Sequence, residues 1–256
     1  MEKNCMEYVK MEEALLRAAK PIHCKGTLNT RDLGGYVGRD GKKTSKGKLF
    51  RSDSLERLTD SGLECLMDYG VTCCIDFRMP EICHRFPSRL AVVESVDYCN
   101  FPIDDHIGGG LTDEGCWDMG DIYIEFLKQS GQSFVGALRK VLEHEHETIL
   151  FHCTAGKDRT GMMAMFLLSL AGVKKEDILM DYMVTEYYMD SRFREMREDI
   201  RQYGKSVPEG CFSSRPELMD KAMDYLEEHY GSAEQYLICE GMTAEEIQRL
   251  KRILIS

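Results

Sequence analysis

Thr148-Ile149-Leu150-Phe151-His152-Cys153-Thr154-Ala155-Gly156-Lys157-Asp158-Arg159-Thr160-Gly161, running into the apolar stretch Met162 to Ala171, decides how this chain folds. The first four residues read as a buried strand, the polar centre as a tight loop, and the apolar stretch as a buried helix. A loop leading from a strand into a helix aims backbone N–H groups and the positive end of a helix dipole at one small volume. Such a volume suits a phosphate dianion. A cysteine opens the loop and an arginine closes it, and the nucleophilic form of cysteine is itself an anion.

Each residue type has a chemical reason to stand there. Cys153 can attack phosphorus in line and carry the phosphoryl group, which splits a hard hydrolysis into two easier steps. Arg159 offers a planar fork that matches two phosphoryl oxygens and keeps its charge at any working pH. Thr154, Ala155, Gly156 and Lys157 are the loop positions expected to bind phosphate, Gly156 turning where a side chain would clash. The Thr160 hydroxyl, just inside the helix, can donate to the sulfur. His152 is expected to order the loop through a backbone hydrogen bond. Taken singly, a buried cysteine or a glycine before a helix would be ordinary core or an ordinary turn. It is the combination that carries the chemistry. A nucleotide-binding phosphate loop fails the comparison, because Asp158 stands where Ser or Thr would follow Gly156-Lys157 and Phe151 where a glycine would precede it.

His-Cys-x5-Arg at 152–159 resembles the signature of the cysteine-dependent phosphatases. Upstream, Thr27-Leu28-Asn29-Thr30-Arg31-Asp32-Leu33-Gly34-Gly35-Tyr36 and Leu49-Phe50-Arg51-Ser52-Asp53-Ser54-Leu55 resemble one branch of them. That branch holds the bacterial tyrosine and dual protein/lipid phosphatases related to mycobacterial protein tyrosine phosphatase B. The resemblance covers most of residues 25 to 165. It implies an α/β fold: a phosphatase-like central, mostly parallel sheet flanked by helices, with a helical lid insertion and a helical C-terminal extension. It also implies a protein tyrosine phosphatase, with dual specificity as an extension, working through a phosphocysteine intermediate with no metal and no other cofactor. Arg31, Asp32 and Arg51 are expected to scaffold the site.

Ester cleavage also needs a proton donor for the leaving oxygen. The Trp-Pro-Asp tripeptide that supplies it in many tyrosine phosphatases is absent, although Trp117-Asp118 occurs without the proline. In the branch resembled here the acid is the aspartate inside the phosphate loop, which corresponds to Asp158. Asp104 or Asp105 comes next as a candidate, then Asp118. The Ala155-Gly156-Lys157 segment also resembles the loop of phosphoinositide phosphatases, so a lipid headgroup bound through Lys157 is the alternative substrate to a phosphorylated protein or peptide. A phosphate-binding pseudoenzyme, or sulfur transfer or arsenate reduction through the loop cysteine, are the competing classes. Intact Cys153 and Arg159 weigh against the pseudoenzyme.

The whole chain is consistent with this chemistry. Its 256 residues suit one α/β domain with helical additions, 1–256 as a unit. With 33 basic and 44 acidic residues, a formal charge of -11, no basic face for nucleic acid is expected. The anionic substrate is then attracted locally, since charges beyond roughly 8 Å are muted at physiological salt. Eleven cysteines are an odd number in a long chain, and Met1 to Lys20 lacks the apolar centre of a secretory signal. Most cysteines are therefore expected reduced and the protein cytoplasmic, with no integral membrane association. Cys73 or Cys74, on a neighbouring strand, is a candidate disulfide partner protecting Cys153 from oxidation.

The remaining segments follow in chain order. Residues 1–24 hold a short amphipathic helix ending before Pro21. Thr59 caps a helix that stops at Gly70, and Val71 to Phe77 is a buried central strand ending at Asp76-Phe77-Arg78. Asp76 and Arg78 form either the rim of the site or an ordinary salt bridge. Ser95 to Phe101 is a further strand. Residues 107–130 begin with three glycines and become helical, a candidate lid with a hinge. Ser133 to His146 is a helix leading into the strand before Cys153. The 174–256 part is helical: two helices from Lys174 to Tyr203, with Tyr182, Tyr187, Tyr188 and Phe193 expected in the core, then three more, the last capped by a Thr243/Glu246 box.

Overall fold

In the computed structural model, which describes residues 20–104, 118–202 and 209–255, Thr148–His152 forms the middle strand of a sheet of five. The strands are β1 (Arg31–Asp32), β2 (Leu49–Ser52), β3 (Val71–Asp76), β4 (Asp97–Asn100) and β5 (Thr148–His152), in spatial order β1-β2-β5-β3-β4. β2, β5, β3 and β4 run parallel, and β1 closes one edge antiparallel. This is the expected α/β architecture. The helices are α1 (Asp60–Asp68), α2 (Pro80–Arg85), α3 (Met119–Gln129), α4 (Gly131–Glu143), α5 (Asp158–Leu170), α6 (Lys175–Gln202), α7 (Pro216–Tyr230), α8 (Ala233–Cys239) and α9 (Ala244–Leu254).

Side chains alternate across a strand, and the alternation sorts the core into two. Ile149, Phe151, Cys73, Ile75 and Phe77 enter a large core with α3, α4, α5 and the C-terminal helices. Leu150, Cys74 and Phe50 enter a smaller one, which Leu66 of α1 helps to cover. α5 is apolar nearly all round and is buried from Arg159 to Leu168, as such a helix must be. Because the four strands are parallel, Ser52, Asp76, Asn100 and His152 end on one side of the sheet. Ligands of open α/β sheets bind at that side, and there the loop after β5 turns into α5.

Three expectations are corrected by the fold. Lys175–Gln202 is one helix of 28 residues and not two; no proline or glycine interrupts it. Tyr182 and Phe193 are core, but Tyr187 is 67% exposed, on the outer side of that long helix. Cys73 and Cys74 cannot reach Cys153, since Cys74 pairs with Leu150 while His152 pairs with Asp76. Three residues of offset are roughly 10 Å along a strand, beyond the span of a disulfide. Both thiols are buried, and burial pushes that of Cys73 up to about 12. Among the described residues, one disulfide joins Cys24 to Cys65, tying the segment before β1 to α1.

Two expectations fall outside the described residues: the N-terminal helix within 1–19, and the glycine-led start of the 107–130 segment. The helical end of that segment is α3, capped by Asp118, with Tyr123, Phe126 and Leu127 in the large core. The Thr59 cap and the Thr243/Glu246 box are both formed. No helix among the described residues is long and apolar enough to cross a membrane.

Candidate active site

Four successive carbonyls of the 153–157 loop are taken by the scaffold. Cys153 O accepts from His152 Nδ1 at 3.1 Å, and Thr154 O from the Ser54 amide at 3.0 Å. Asn29 Nδ2 donates to Ala155 O at 2.9 Å and Gly156 O at 3.1 Å. Arg51 Nη2 donates to Gly156 O at 2.6 Å. In a trans peptide the C=O and the following N–H point opposite ways. Tying down the carbonyls therefore turns the amides of Thr154, Ala155, Gly156 and Lys157 toward the other side, where an anion would sit. Gly156 makes this turn at φ +65°, and a Cβ there would lie 2.4 Å from Ser52 O. No other residue fits.

The scaffold has its own support. Arg31 and Arg51 are fully buried and share Asp181 of α6, itself 1% exposed. Arg31 Nε meets Asp181 Oδ1 at 2.9 Å, and Arg51 Nη1 bonds to Oδ2. Tyr36 Oη adds a bond at 3.1 Å. Burial pushes the Asp181 carboxyl up, but the two guanidiniums outweigh it and hold the group at about 2. Asp53 takes the amides of Leu28 and Asn29, fixing the turn that presents Asn29; burial raises its carboxyl to about 6. Asp32 binds the Gly34 and Gly47 amides at 2.8 Å each. The hallmark segments thus hold the loop, as their resemblance implied. Asp181, Asn29 and Asp53 were missed, although two arginines on strands bound for the core call for a buried counter-charge.

Asp76 and Arg78 resolve as an ion pair, Nη2 to Oδ2 2.7 Å, with both side chains buried. Burial pushes Asp76 up, while His152 and Arg78 hold it down at about 2. Arg78 also reaches Ser54 Oγ at 3.0 Å and borders the cleft described below. His152 is buried, and its Nδ1 carries a proton because a carbonyl can only accept; burial lowers its affinity for a second one. It orders the loop, as expected.

Cys153 directly follows β5 and is 1% exposed, so the fold does not leave this thiol open to solvent. Arg159 Nη2 lies 3.4 Å from Thr154 Oγ1, and its Nη1 3.4 Å from Ile103 O. Thr160 Oγ1 is buried without a hydrogen-bond partner among the described residues, the state of a hydroxyl awaiting an acceptor. Thr154 and Arg159 line a cleft of about 640 Å³ together with Asp104, Arg78, Arg57, Arg192 and an apolar wall of Met79, Ile82 and Phe86. Thr154 also borders an adjoining cavity of about 290 Å³.

Lys157 departs from expectation. Its side chain is fully buried, and Nζ donates to the carbonyls of Gly210, Cys211 and Ser213 at 3.1, 2.8 and 2.9 Å. Within the 153–157 loop Lys157 contributes its backbone alone; the ammonium staples the loop to the segment before α7. A headgroup-binding role for this charge is not what the structure builds. Asp158, at the first position of α5, accepts from Tyr123 Oη through Oδ1 and lies 3.4 Å from Lys157 Nζ. Asp118 caps α3 through the Gly120 amide and pairs with Lys221 at 3.2 Å, which suits a structural role. Asp105 lies outside the described residues.

The geometry thus defines a class, and comparison with known proteins places the chain in it. A family model described as "Tyrosine phosphatase family" matches residues 22–256. The chain belongs to the tyrosine phosphatase family, and it is a hydrolase of that class. It is similar to a tyrosine-protein phosphatase of Nostoc commune, 33% identical over 140 residues, 52% of this chain and 48% of that protein. The chain thus matches about half the length of that relative. It is also similar to the triple specificity protein phosphatase PtpB of Mycobacterium tuberculosis, 26% identical over 274 residues, 90% of this chain and 97% of that one. The branch indicated by the hallmark segments is borne out. Among solved structures, P. aeruginosa TpbA matches at a TM-score of 0.45 and 14% identity, over 88% of this chain and 98% of that one.

Two buried carboxylates give the site a pH dependence of stability. Asp76 and Asp181 sit at about 2 in the folded chain against an ordinary 3.8. Their folded values are depressed, so the stability they add is complete above about pH 4 and is lost as pH falls toward 2. Each accounts for about 2 kcal/mol. Asp53, raised to about 6, acts with the opposite sign and costs stability as pH rises from 4 to 6. Urea midpoints should therefore drop steeply between pH 4 and 2, and decline about half as steeply from 4 to 6. A flat profile below pH 4 would show that neither ion pair holds the fold.

Proposed function

We propose that this phosphatase cleaves phosphotyrosine in proteins or peptides through a phosphocysteine on Cys153, and that phosphoserine and phosphothreonine are also substrates. The observation that carries the reading is the convergence of Cys153, Arg159 and the loop amides whose carbonyls Asn29, Arg51, Ser54 and His152 hold. The amides and Arg159 bind the phosphoryl oxygens. The Cys153 thiolate attacks phosphorus, the S–P bond forms and the P–O bond to the leaving group breaks. The leaving oxygen takes its proton from Asp158. Water then attacks the phosphocysteine and gives a proton to the Asp158 carboxylate, and the S–P bond breaks to return the thiolate with phosphate. Thr160 Oγ1, buried and without a partner among the described residues, donates to that sulfur as it leaves. The apolar wall of Met79, Ile82 and Phe86 gives an aromatic leaving group a surface to lie on. With Lys157 occupied elsewhere, the loop's phosphate pocket is served by one guanidinium and backbone amides, enough for a monoester.

The acid assignment is tested by Asp158→Asn. Turnover of phosphotyrosine peptide should fall by about 10²-fold, and the limb of the pH profile that reports the protonated acid should flatten. Unchanged turnover with an unchanged profile would remove Asp158 from the role. Rates on phosphotyrosine, phosphoserine and phosphothreonine peptides of one sequence test the breadth of substrate. A strict requirement for phosphotyrosine would confine the enzyme to the aromatic ester.

A further inference from the structure

The reading of Asp158 as the acid leaves open what fixes its carboxyl, and two buried tyrosines supply an answer that rests on that reading. Tyr123 of α3 is 0% exposed and Tyr182 of α6 1%. Their hydroxyls are 2.6 Å apart, and Tyr123 Oη donates to Asp158 Oδ1. A carboxylate oxygen can only accept, so the Tyr123 proton goes to Asp158 and Tyr182 must donate to Tyr123. The relay therefore has one sense, from Tyr182 through Tyr123 to Asp158. The two rings meet edge to face, 6.1 Å between centroids at 88°, so neither hydroxyl can swing away without disturbing the core. Burial and the neighbouring carboxylate push the Tyr123 hydroxyl far above its ordinary range, which keeps it a donor at every working pH.

We infer that Tyr123 is a positioning residue: it pins Asp158 Oδ1, reserves Oδ2 for the proton given to the leaving group, and stabilises the carboxylate left behind. In that step the Oδ2–H bond breaks, the proton passes to the ester oxygen as its bond to phosphorus breaks, and the electron pair stays on Asp158. The donors meet a charge that exists only after proton transfer begins, so their effect is larger in the transition state than before it. Other charged groups among the described residues also face the relay. Lys157 Nζ, 3.4 Å from the same Oδ1, is committed to three carbonyls. Arg159 follows Asp158 directly along α5. Arg51 of β2 and Glu186 of α6 act on Tyr182 with opposite signs.

The test is Tyr123→Phe, which removes one oxygen and keeps the ring, assayed on phenyl phosphate and on dinitrophenyl phosphate. A poor leaving group needs the acid and a good one does not. The ratio of kcat on phenyl to dinitrophenyl phosphate should fall roughly tenfold, the size of a lost bond to a charged group. The limb of the pH profile belonging to the acid should also move to higher pH, because a donor to the charged form has gone. Tyr182→Phe, the outer link, should shift both readouts the same way by less, and decides the matter should Tyr123→Phe not fold. Equal losses on both esters with an unmoved limb would reduce Tyr123 to packing and overturn the inference. Asp158→Asn separates the two levels: if it too leaves the ratio unchanged, the acid assignment itself falls, whereas a lowered ratio there and not in Tyr123→Phe overturns the tyrosine inference alone.

Discussion

An Asp181→Asn variant will unfold more easily than the parent by about 3–5 kcal/mol, the cost of leaving buried charge uncompensated. Asp181 is the only carboxylate bonded to both Arg31 and Arg51 among the described residues, and all three side chains are at most 1% exposed. Asparagine keeps the shape but removes the charge, which strands two guanidiniums away from water. Against a typical total of about 5–15 kcal/mol, that is at least a fifth of what holds the fold. Catalysis should suffer beyond the loss of stability, because Arg51 also fixes Gly156 O. The triple change Arg31→Met, Arg51→Met, Asp181→Leu sharpens the argument. Apolar replacement of a whole buried ionic cluster is often neutral, so the triple variant should regain much of the stability and none of the activity. Denaturant melts of both variants decide it. A single variant as stable as the parent would mean that the arginines find their counter-charge elsewhere.

How far the sequence could be read follows from where each interaction lives along the chain. The strand-loop-helix at 148–171 was legible because its determinants are adjacent: apolar run, glycine, helix start. Central strands showed as β-branched runs, and the Thr59 and Thr243 caps as local motifs. What escaped was long-range. Nothing around Asp181 distinguishes it from the other acids of α6, and its role exists only because the fold brings two arginines 130 and 150 positions away onto it. Lys157 misled for the same reason. Its place in the loop suggested a charge facing substrate, but its four-carbon stem carries the ammonium to carbonyls more than 50 positions further on. The single long α6 reads as two helices because its apolar periodicity is weak along its charged C-terminal half. Cys73 and Cys74 lie on the strand beside β5, but a register that pairs Cys74 with Leu150 leaves both short of Cys153.

The larger kinetic effect is expected at Cys153. Changing it to serine replaces a sulfur anion by a neutral hydroxyl with no general base assigned to it, and turnover should fall on the order of 10⁶-fold, as when other hydrolases lose their nucleophile. Binding should survive. The amides of Thr154 to Lys157 and the Arg159 fork are untouched by the change, and a serine is small enough for a position packed into the large core directly after β5. The variant should therefore hold a phosphotyrosine peptide with an affinity near the parent's KM, measurable by calorimetry. Loss of binding together with turnover would point to a collapsed loop and not to a missing nucleophile.

In the proposed reaction phosphorus is bonded to that sulfur at one stage of every turnover. Fully reduced protein, treated with chelator and mixed with p-nitrophenyl phosphate, can be quenched in acid within the first turnover and its peptides weighed by mass spectrometry. The prediction is a burst of p-nitrophenol accompanied by a phosphoryl adduct on the peptide that carries Cys153, with neither in Cys153→Ser. Hydrolysis that proceeds with no adduct on that peptide, or that persists in the serine variant, would contradict it.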